Sequence, residues 1–385
     1  MDPEYKIAIV NSLDDVGETA WQALAGSNPF ISYRFLRLLQ ASGCAVPRTG
    51  WHPQFLLLYR ADELVAASPC YLKTHSRGEF VFDQSWAQAF AEHGLRYYPK
   101  LLIASPFTPV QGPRLLAKDF EARLALARAV GQICEATEAS SAHVLFVEEQ
   151  DKDALLAAGF MVREGVQFHW RNENYSSTDD FLAKLSHDKR KKIRQDSRYV
   201  AEAGITYRWL EGDGLDEQHI EFFYTCYSNT YREHWSTPYL SLDFFKQAHN
   251  QAALRMVLVV GYRDGRPVAC SLNIRSDDVL YGRYWGTTEF AKGLHFETCY
   301  MQAIAYCIAN GLRVFEGGAQ GEHKMSRGLM PTKTLSAHWV RDQRFSRAIL
   351  DFLHRESEAI DGYVTELKLT SPFKGEAVPT SEPRH

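Results

Sequence analysis

The chain has 385 residues, of which 45% are hydrophobic and 23% are charged, and its formal net charge is -4. This length exceeds the size at which a single core usually keeps growing, which predicts two domains. The small negative charge excludes a general attraction to nucleic acids or anionic membranes, although a local basic patch can still provide one.

Seven cysteines are scattered through the sequence without a CxxC pair. Their spacing predicts neither a zinc site nor a disulfide framework, and it favours buried thiols in a reducing compartment. The first residues show no cationic segment followed by a long apolar one, and the apolar run at 256–260 is too short to span a bilayer. We therefore predict a cytoplasmic protein without a membrane-spanning segment.

The first half of the chain predicts a β-meander followed by a mixture of helices and strands. Three consecutive strands are expected within residues 55–82, separated by polar turns at 61–63 and near Arg77 and Gly78. An extended stretch (KLLIASPFTPVQGPRLL) comes next, and apolar residues at helical spacing then predict a helix from about Asp119 to Glu138. A strand (AHVLFVEE), a short helix around 153–158 and a strand (GFMVREGVQFHW) follow.

Residues 175–204 predict one helix that begins after Ser177 and is strongly basic at its centre. A helix of this kind usually presents a solvated face. The alternative is that it binds phosphates, either of a nucleotide-containing cofactor or of RNA.

The second half repeats the order of elements of the first. A second meander is expected at 257–285, with turns at 263–266 and 276–278, and a helix should run from about His295 to Ala309. The strand LRVFE, a glycine-rich polar stretch at 317–328 and the strand KTLSAHWV follow. We therefore predict an α/β (α+β) protein with mixed, largely antiparallel sheets in two domains, 1–170 and 171–370, and a disordered tail at 371–385.

Several common enzyme signatures are missing from the sequence. It contains no HExxH, GxGxxG or GxSxG motif, and GGAQGEHK is not a phosphate-binding Walker loop. Zinc peptidase, Rossmann dehydrogenase, serine hydrolase and P-loop chemistry are therefore not expected, and we predict no metal site.

Three polar segments of the second half would meet in one crevice if the strands flanking its helix are neighbours. They are GRYWG (282–286), GLHFE (293–297) and FEGGAQGEHKMSRG (315–328). The candidate catalytic residues are Lys324, Glu316, His323 and Glu322. The candidate substrate-binding residues are Arg283, Tyr284, Trp285, His295, Gln320 and Arg327, and the candidate donor phosphate-binding residues are Gly293, Lys189, Arg190 and Lys192.

Each of these residues also has a purely structural interpretation. Trp285 is more typical of packing than of a substrate platform, His295 could cap a helix, and Glu316 could be a solvated strand end. Lys324 and Arg327 stand three residues apart, a spacing that would place both cations on one helical face for a carboxylate or phosphate.

Several motifs of the sequence resemble those of a known family. The motifs FEGGAQGEHKMSRGLMPT, LHFETCY, YGRYWG and SAHW in the second half, and SPCYLK, HSRGEFVFD, YYPKL and PFTPVQGPRLL in the first, are similar to those of a family of predicted N-acyltransferases of unassigned substrate. That family is related to the Fem-type peptidoglycan aminoacyltransferases of the GNAT superfamily. The resemblance runs from about residue 10 to residue 365 and implies two tandem GNAT-like domains. Because Fem-type enzymes use a Phe-Lys pair before a glycine-containing turn to hold substrate, it also puts Lys324 forward, with His323 in place of the Phe.

The resemblance implies an N-acyltransferase that moves an acyl or aminoacyl group from an acyl-CoA thioester or an aminoacyl-tRNA to a small-molecule or peptide amine. No permanently bound cofactor is expected, and the acyl-CoA or tRNA would be a co-substrate. Only Gly293 stands where CoA-binding relatives have two or three glycines, which counts against CoA. The alternative is a non-catalytic module of degenerate GNAT-like fold that binds a small molecule or RNA.

Overall fold

A computed structural model describes residues 4–319 and 321–375 of the chain. Packing divides the chain into two compact units. The N-terminal unit comprises the residues up to Gly165, Tyr239–Ala253 and Lys333–Ala359, and the C-terminal unit comprises Val166–Pro238, Leu254–Thr332 and the chain from Ile360. Each unit thus includes segments that are distant in sequence, whereas the predicted domains were contiguous, and the domain division at residue 170 stays a prediction.

Helices and strands are mixed along the described part of the chain. Its first part contains β1 (Tyr5–Val10), α1 (Glu18–Ala25), α2 (Tyr33–Ala41), β2 (Trp51–Pro53), β3 (Phe55–Arg60), β4 (Glu63–Ser68), β5 (Cys70–Lys73), α3 (Gln84–Glu92), β6 (Lys100–Ile103), β7 (Leu116–Ala117), α4 (Phe120–Ala136), β8 (Ser141–Val147), α5 (Glu149–Ala157) and β9 (Met161–Arg171). Its second part contains α6 (Thr178–Lys184), α7 (His187–Glu202), β10 (Ile205–Glu211), α8 (Glu217–Glu233), α9 (Leu242–Asn250), β11 (Met256–Arg263), β12 (Arg266–Arg275), β13 (Val279–Thr287), α10 (Leu294–Phe296), α11 (Gln302–Ala309), β14 (Val314–Glu316), β15 (Met330–Val340) and α12 (Gln343–Leu369).

The N-terminal unit contains two sheets. One has the strand order β1-β3-β4-β7, and the other has the order β2-β5-β6-β8-β15. In the second sheet β6 and β8 are parallel, and the remaining neighbours are antiparallel. Buried aliphatic side chains of both sheets and of α4, including Leu58, Val144 and Leu126, form the core.

The C-terminal unit contains the strand order β10-β11-β12-β13-β14-β9. All neighbours are antiparallel except β13 and β14, which are parallel. The core packs strand residues such as Leu280 and Phe315 against Tyr300 and Ile304 of the helical segment 294–309. This is the mixed, largely antiparallel architecture that the sequence predicts.

The second meander is confirmed, but the first differs from the prediction. Its third strand was expected near Phe82, whereas β5 begins at Cys70 and residues 74–83 form neither helix nor strand. Pro69 has no N–H to donate to a neighbouring strand, and it divides the expected second strand into β4 and β5, which join different sheets. The chain after β5 is instead held by Glu79 and Asp83, whose carboxylates accept hydrogen bonds from the buried Lys100.

The basic segment forms two helices rather than one. The side chain of Ser177 caps α6 as predicted, by accepting a hydrogen bond from the N–H of Asp180. The helix then stops at Leu185, which forms a β-bridge with Phe373, before α7 begins. Part of the predicted disordered tail is therefore ordered, and residues 376–385 lie outside the described residues.

Candidate functional site

The C-terminal unit opens where its two parallel strands separate. β13 and β14 pair only over residues 279–281 and 314–316. Beyond this point β13 continues to Thr287 alongside β12, with a register shift opposite Leu272 and Asn273, while β14 ends at Glu316. A cavity of about 120 Å³ lies at the opening. Its described lining consists of Ser271, Leu272, Asn273, Gly282, Arg283, Tyr284, Trp285, His295, Cys299, Tyr300, Phe315, Gly317 and Gly318.

Gly317 and Gly318, which the sequence predicts to border a site, line the cavity at positions that disfavour a side chain. A Cβ atom at Gly317 would lie 2.5 Å from the side chain of Leu329, and Gly318 has a φ of +87°, which side chains rarely adopt. These positions let the chain turn sharply after β14, so that backbone rather than side chains forms this wall of the cavity.

The opposite wall comes from the helical segment that begins at Leu294. The segment contains a π-helical turn at Glu297–Met301, a feature often found at functional sites. Within the turn the Thr298 carbonyl accepts a hydrogen bond from Ser271 Oγ on β12, at 3.2 Å. Cys299 lines the cavity, but burial raises the pKa of its thiol, so it stays protonated and is a poor nucleophile.

Four of the predicted substrate-binding residues, Arg283, Tyr284, Trp285 and His295, line this cavity. The ring centroids of His295 and of the Trp285 side chain lie 4.7 Å apart. Burial, with smaller contributions from the charges of His323, Lys324 and Arg327, lowers the pKa of His295 to about 4. The imidazole is therefore neutral near pH 7.

Lys324 is buried at the edge of the cavity. It belongs to a 3₁₀ helix, Glu322–Arg327, and its Nζ donates a hydrogen bond to the carbonyl oxygen of Gly318 at 2.9 Å. Burial lowers its pKa to about 8, and no carboxylate among the described residues pairs with it. Two of its three N–H groups thus have no acceptor within the described chain.

Glu316 is placed differently from the other candidates. Phe315 lines the cavity, and because successive strand residues face opposite sides of a sheet, Glu316 points to the other side. There its Oε2 lies 4.0 Å from His169 Nε2, and this oxygen is buried without a hydrogen bond. Burial raises the pKa of Glu316 to about 8 and lowers that of His169 to about 4. Both groups are therefore mainly neutral at pH 7, and the contact is not an ion pair.

The remaining candidates of the 3₁₀ helix do not line the cavity. Glu322 is exposed and accepts a hydrogen bond from Tyr363 at 2.5 Å, and His323 is exposed with its Nε2 3.3 Å from the hydroxyl of Tyr300. Arg327 donates to Asp196 Oδ2 at 2.6 Å and stacks on Phe296. Arg327 is therefore already neutralised by Asp196, and it is not left to bind an anion together with Lys324 as the sequence predicted.

The predicted phosphate-binding residues lie on α7 and at the start of α10. Lys189, Arg190 and Lys191 form no ion pair with the described residues, whereas Lys192 pairs with the buried Asp196 at 2.9 Å. Gly293 caps α10, and a Cβ atom there would lie 2.8 Å from the Asp196 carbonyl oxygen. Packing against α7 thus accounts for this glycine, and Gln320 lies outside the described residues.

Some residues of the site were not predicted. Asn273, Ser271 and Tyr300 line the cavity, and His169 contacts Glu316, although none of them belongs to a recognisable motif. Tyr300 stands five residues after His295, a spacing that does not place two side chains on one face of a regular α-helix, so no sequence signal indicated it. The described residues contain no cluster of three or more potential metal ligands, and no helix in them could traverse a bilayer.

Comparison with known proteins identifies the family. A family described as FemAB-like, peptidoglycan biosynthesis/recognition, matches residues 12–375. The chain belongs to the FemAB-like family. No curated protein matches its sequence.

Solved structures support the fold of this FemAB-like protein. The crystal structure of FemX covers 90% of the chain and is itself covered completely, at a TM-score of 0.56 and 12% identity. The C-terminal domain of a putative lysylphosphatidylglycerol synthetase from Agrobacterium fabrum and the L-PGS from Bacillus licheniformis each have a TM-score of 0.51, at 9% and 10% identity. They cover 89% and 88% of this chain, and this chain covers 96% and 94% of theirs. The predicted fold of two GNAT-like domains is confirmed, and family and fold together support acyltransferase activity.

Proposed function

We propose that this protein is an N-acyltransferase that moves an acyl or aminoacyl group from an acyl-CoA or aminoacyl-tRNA to an amine. The reaction takes place in the cavity between β13 and β14. The observation that carries the proposal is the buried Lys324 ammonium, which donates one N–H to the carbonyl of Gly318 in the cavity wall and has two N–H groups without an acceptor among the described residues.

The chemistry needs no covalent enzyme intermediate. The amine nitrogen attacks the carbonyl carbon of the donor, a C–N bond forms, and the carbonyl oxygen becomes an oxyanion. The C–S or C–O bond to the leaving group then breaks, and the proton lost by the amine is transferred to the leaving group through a base or water. A buried, preorganised cation stabilises such an oxyanion more than an exposed one does, and Lys324 supplies it.

The neutral groups of the cavity suit an amine acceptor. His295 is unprotonated near pH 7 and lies in the wall, where its imidazole can accept a hydrogen bond from an attacking amine. Arg283 and Tyr284 border the same space and can orient the polar part of either substrate.

The test is transfer of a labelled acyl group from a panel of acyl-CoAs and charged tRNAs to a panel of amines. We expect Lys324→Met to lower kcat by about 100- to 1000-fold, the range typical of losing one oxyanion donor. Lys368→Met, which removes an exposed lysine of α12 outside the cavity and outside α7, is the matched control and should retain activity. Undiminished turnover by Lys324→Met would refute the proposed site.

A second candidate function, binding of RNA without catalysis, is favoured by the unpaired cations of α7. Lys189, Arg190 and Lys191 are three neighbouring cations of this helix that form no ion pair with Asp179, Asp196 or any other described residue. Salt-sensitive retention of RNA that disappears when residues 189–192 are made neutral, together with no turnover on any donor, would support the binder. Turnover on acyl-CoA that is unaffected by the same substitutions would support the enzyme with an acyl-CoA donor.

A further inference from the structure

The N-terminal unit contains a cavity that no sequence motif indicates and that the proposed function does not use. Its volume is about 440 Å³, within the range of small-molecule sites. Its walls come from the chain after α3, the C-terminal end of α4, and the segment that joins β15 to α12.

One side of the cavity is apolar and anchored. Phe90 is buried and Tyr98 is half-buried, and both line the space. The Tyr98 hydroxyl forms a 2.8 Å hydrogen bond with Ser76 Oγ, which in turn accepts one from the fully buried Lys100. The ring of Tyr98 is thereby held in place, so the apolar wall exists before any ligand arrives.

The other side carries two cations that the protein leaves uncompensated. Arg96 and Arg341 are exposed, and neither guanidinium makes a hydrogen bond or an ion pair with residues 4–319 and 321–375. The backbone of Arg341 is fixed, because its N–H donates to the Ser140 carbonyl at 3.0 Å. Two arginines that converge on a cavity can clamp a carboxylate with paired, charge-assisted hydrogen bonds.

The acidic groups of the lining do not cancel this charge. Asp342 is already engaged, since its carboxylate accepts hydrogen bonds from Arg344 Nη2 at 2.8 Å and from the Arg344 N–H at 2.9 Å. Glu138 remains as the single unpaired acid, at the end of α4. The lining also contains the two guanidinium groups of Arg96 and Arg341. With Asp342 paired to Arg344, the cavity therefore has a net charge of +1.

We propose that this cavity is a binding site for a small carboxylate with an apolar or aromatic body. The body lies against Phe90 and Tyr98, and the carboxylate is held by Arg96 and Arg341. The site is independent of acyl transfer, because every residue that forms it belongs to the N-terminal unit.

Benzoate is the probe that tests the proposal, with neutral benzamide and cationic benzylamine as size-matched controls. Titrations followed by ligand-observed NMR on the full chain should show saturable binding of benzoate at least ten-fold tighter than that of benzamide. The double variant Arg96→Gln/Arg341→Gln should weaken benzoate binding at least ten-fold and leave benzamide binding unchanged.

The control variant is Arg347→Gln, which removes an exposed arginine of α12 that does not line the cavity and should bind benzoate like the natural chain. Thermal unfolding of all variants checks that folding is intact, which is expected because the substituted side chains are exposed. The proposal is overturned if benzoate does not bind saturably, if it binds no better than benzamide, or if benzylamine binds more tightly. It is also overturned if the double variant binds benzoate normally, since the carboxylate then lies elsewhere.

Discussion

Replacing Lys324 by methionine should stabilise the protein while it removes activity. The pKa of Lys324 lies at about 8 instead of the ordinary 10.5, because burial penalises the ammonium. At about 1.4 kcal/mol per pH unit, keeping this charge buried at pH 7 costs the folded state about 3 kcal/mol. Methionine of similar length avoids that cost and loses only the hydrogen bond to Gly318, worth about 1 kcal/mol. We therefore expect a net gain of roughly 2 kcal/mol.

The sign of the pH dependence gives a second measurement of the same effect. The folded-state pKa of Lys324 is lower than the unfolded one, so the folded state binds fewer protons between about pH 8 and pH 10.5. The destabilisation of the folded state by the buried Lys324 ammonium is complete below pH 8 and disappears as the pH rises from about 8 to about 10.5. The natural chain should therefore gain stability over this range. Burial also lowers the pKa of Lys73, to about 7, which gives the same trend. The difference in unfolding free energy between the natural chain and Lys324→Met isolates the contribution of Lys324.

The assay is urea or thermal unfolding of the natural chain, Lys324→Met and the exposed-lysine control Lys191→Met, at several pH values from 7 to 10.5. The advantage of Lys324→Met should be greatest at pH 7 and should shrink toward pH 10.5, while the control should stay within about 0.5 kcal/mol of the natural chain. A variant that is less stable at pH 7, or an advantage that does not change with pH, would refute the electrostatic reasoning.

Two further predictions concern β13 and β14. Gly286→Ala should destabilise the fold by at least about 2 kcal/mol in urea unfolding, because its Cβ atom would lie 2.0 Å from the backbone carbonyl oxygen of Cys226 on α8, and a normal unfolding midpoint would contradict this contact. Glu316→Gln should retain most of the turnover at pH 7, because burial raises the pKa of Glu316 to about 8 and a neutral amide resembles the protonated carboxyl. A loss of 100-fold or more in that variant would instead show that the ionised carboxylate is the base.

The second meander could be predicted because each of its physical signals agrees with the others. Apolar runs alternate with polar turns, and the β11–β12 hairpin turns at Asp264 and Gly265, which both adopt positive φ values as tight hairpins require. In the first meander Pro69 opposes the apolar pattern around it. The pattern indicated three strands in series, but the missing N–H of Pro69 decided where the sheet divides.

The site could be predicted only as far as its segments. The segments 282–286 and 315–318 are both marked by glycines and polar residues, and both contribute residues to the lining of the cavity. The side that each residue faces depends on a strand of only three residues, β14, and its register against β9 is invisible in a single sequence. Glu316 was therefore grouped with residues that lie across the sheet from it.

Long-range pairing explains the other errors. Arg327 was expected to join Lys324 because the two are three residues apart, but Asp196, far away in sequence, approaches to 2.6 Å. An ion pair between buried side chains outweighs the preference of either residue for a shared helical face. Asp196 itself looked like one more polar residue in a basic helix, and nothing local distinguished it.

The N-terminal and C-terminal units differ at the place where their two parallel strands stop pairing, and this difference supports the proposal that the reaction takes place in the C-terminal unit. In the N-terminal unit the parallel strands β6 and β8 pair over residues 101–103 and 142–144. Past that point Arg114, fully buried, donates to the carbonyls of Val110 and Leu145 and so bridges the diverging chains. Each of the three guanidinium nitrogens of Arg114 thus donates to a backbone carbonyl of the protein itself. In the C-terminal unit the equivalent opening holds a cavity, and Lys324, which contacts Gly318 in its wall, uses one of its three N–H groups on acceptors within residues 4–319 and 321–375. Donors already saturated by backbone carbonyls cannot stabilise a developing oxyanion, whereas a buried cation with free N–H groups can.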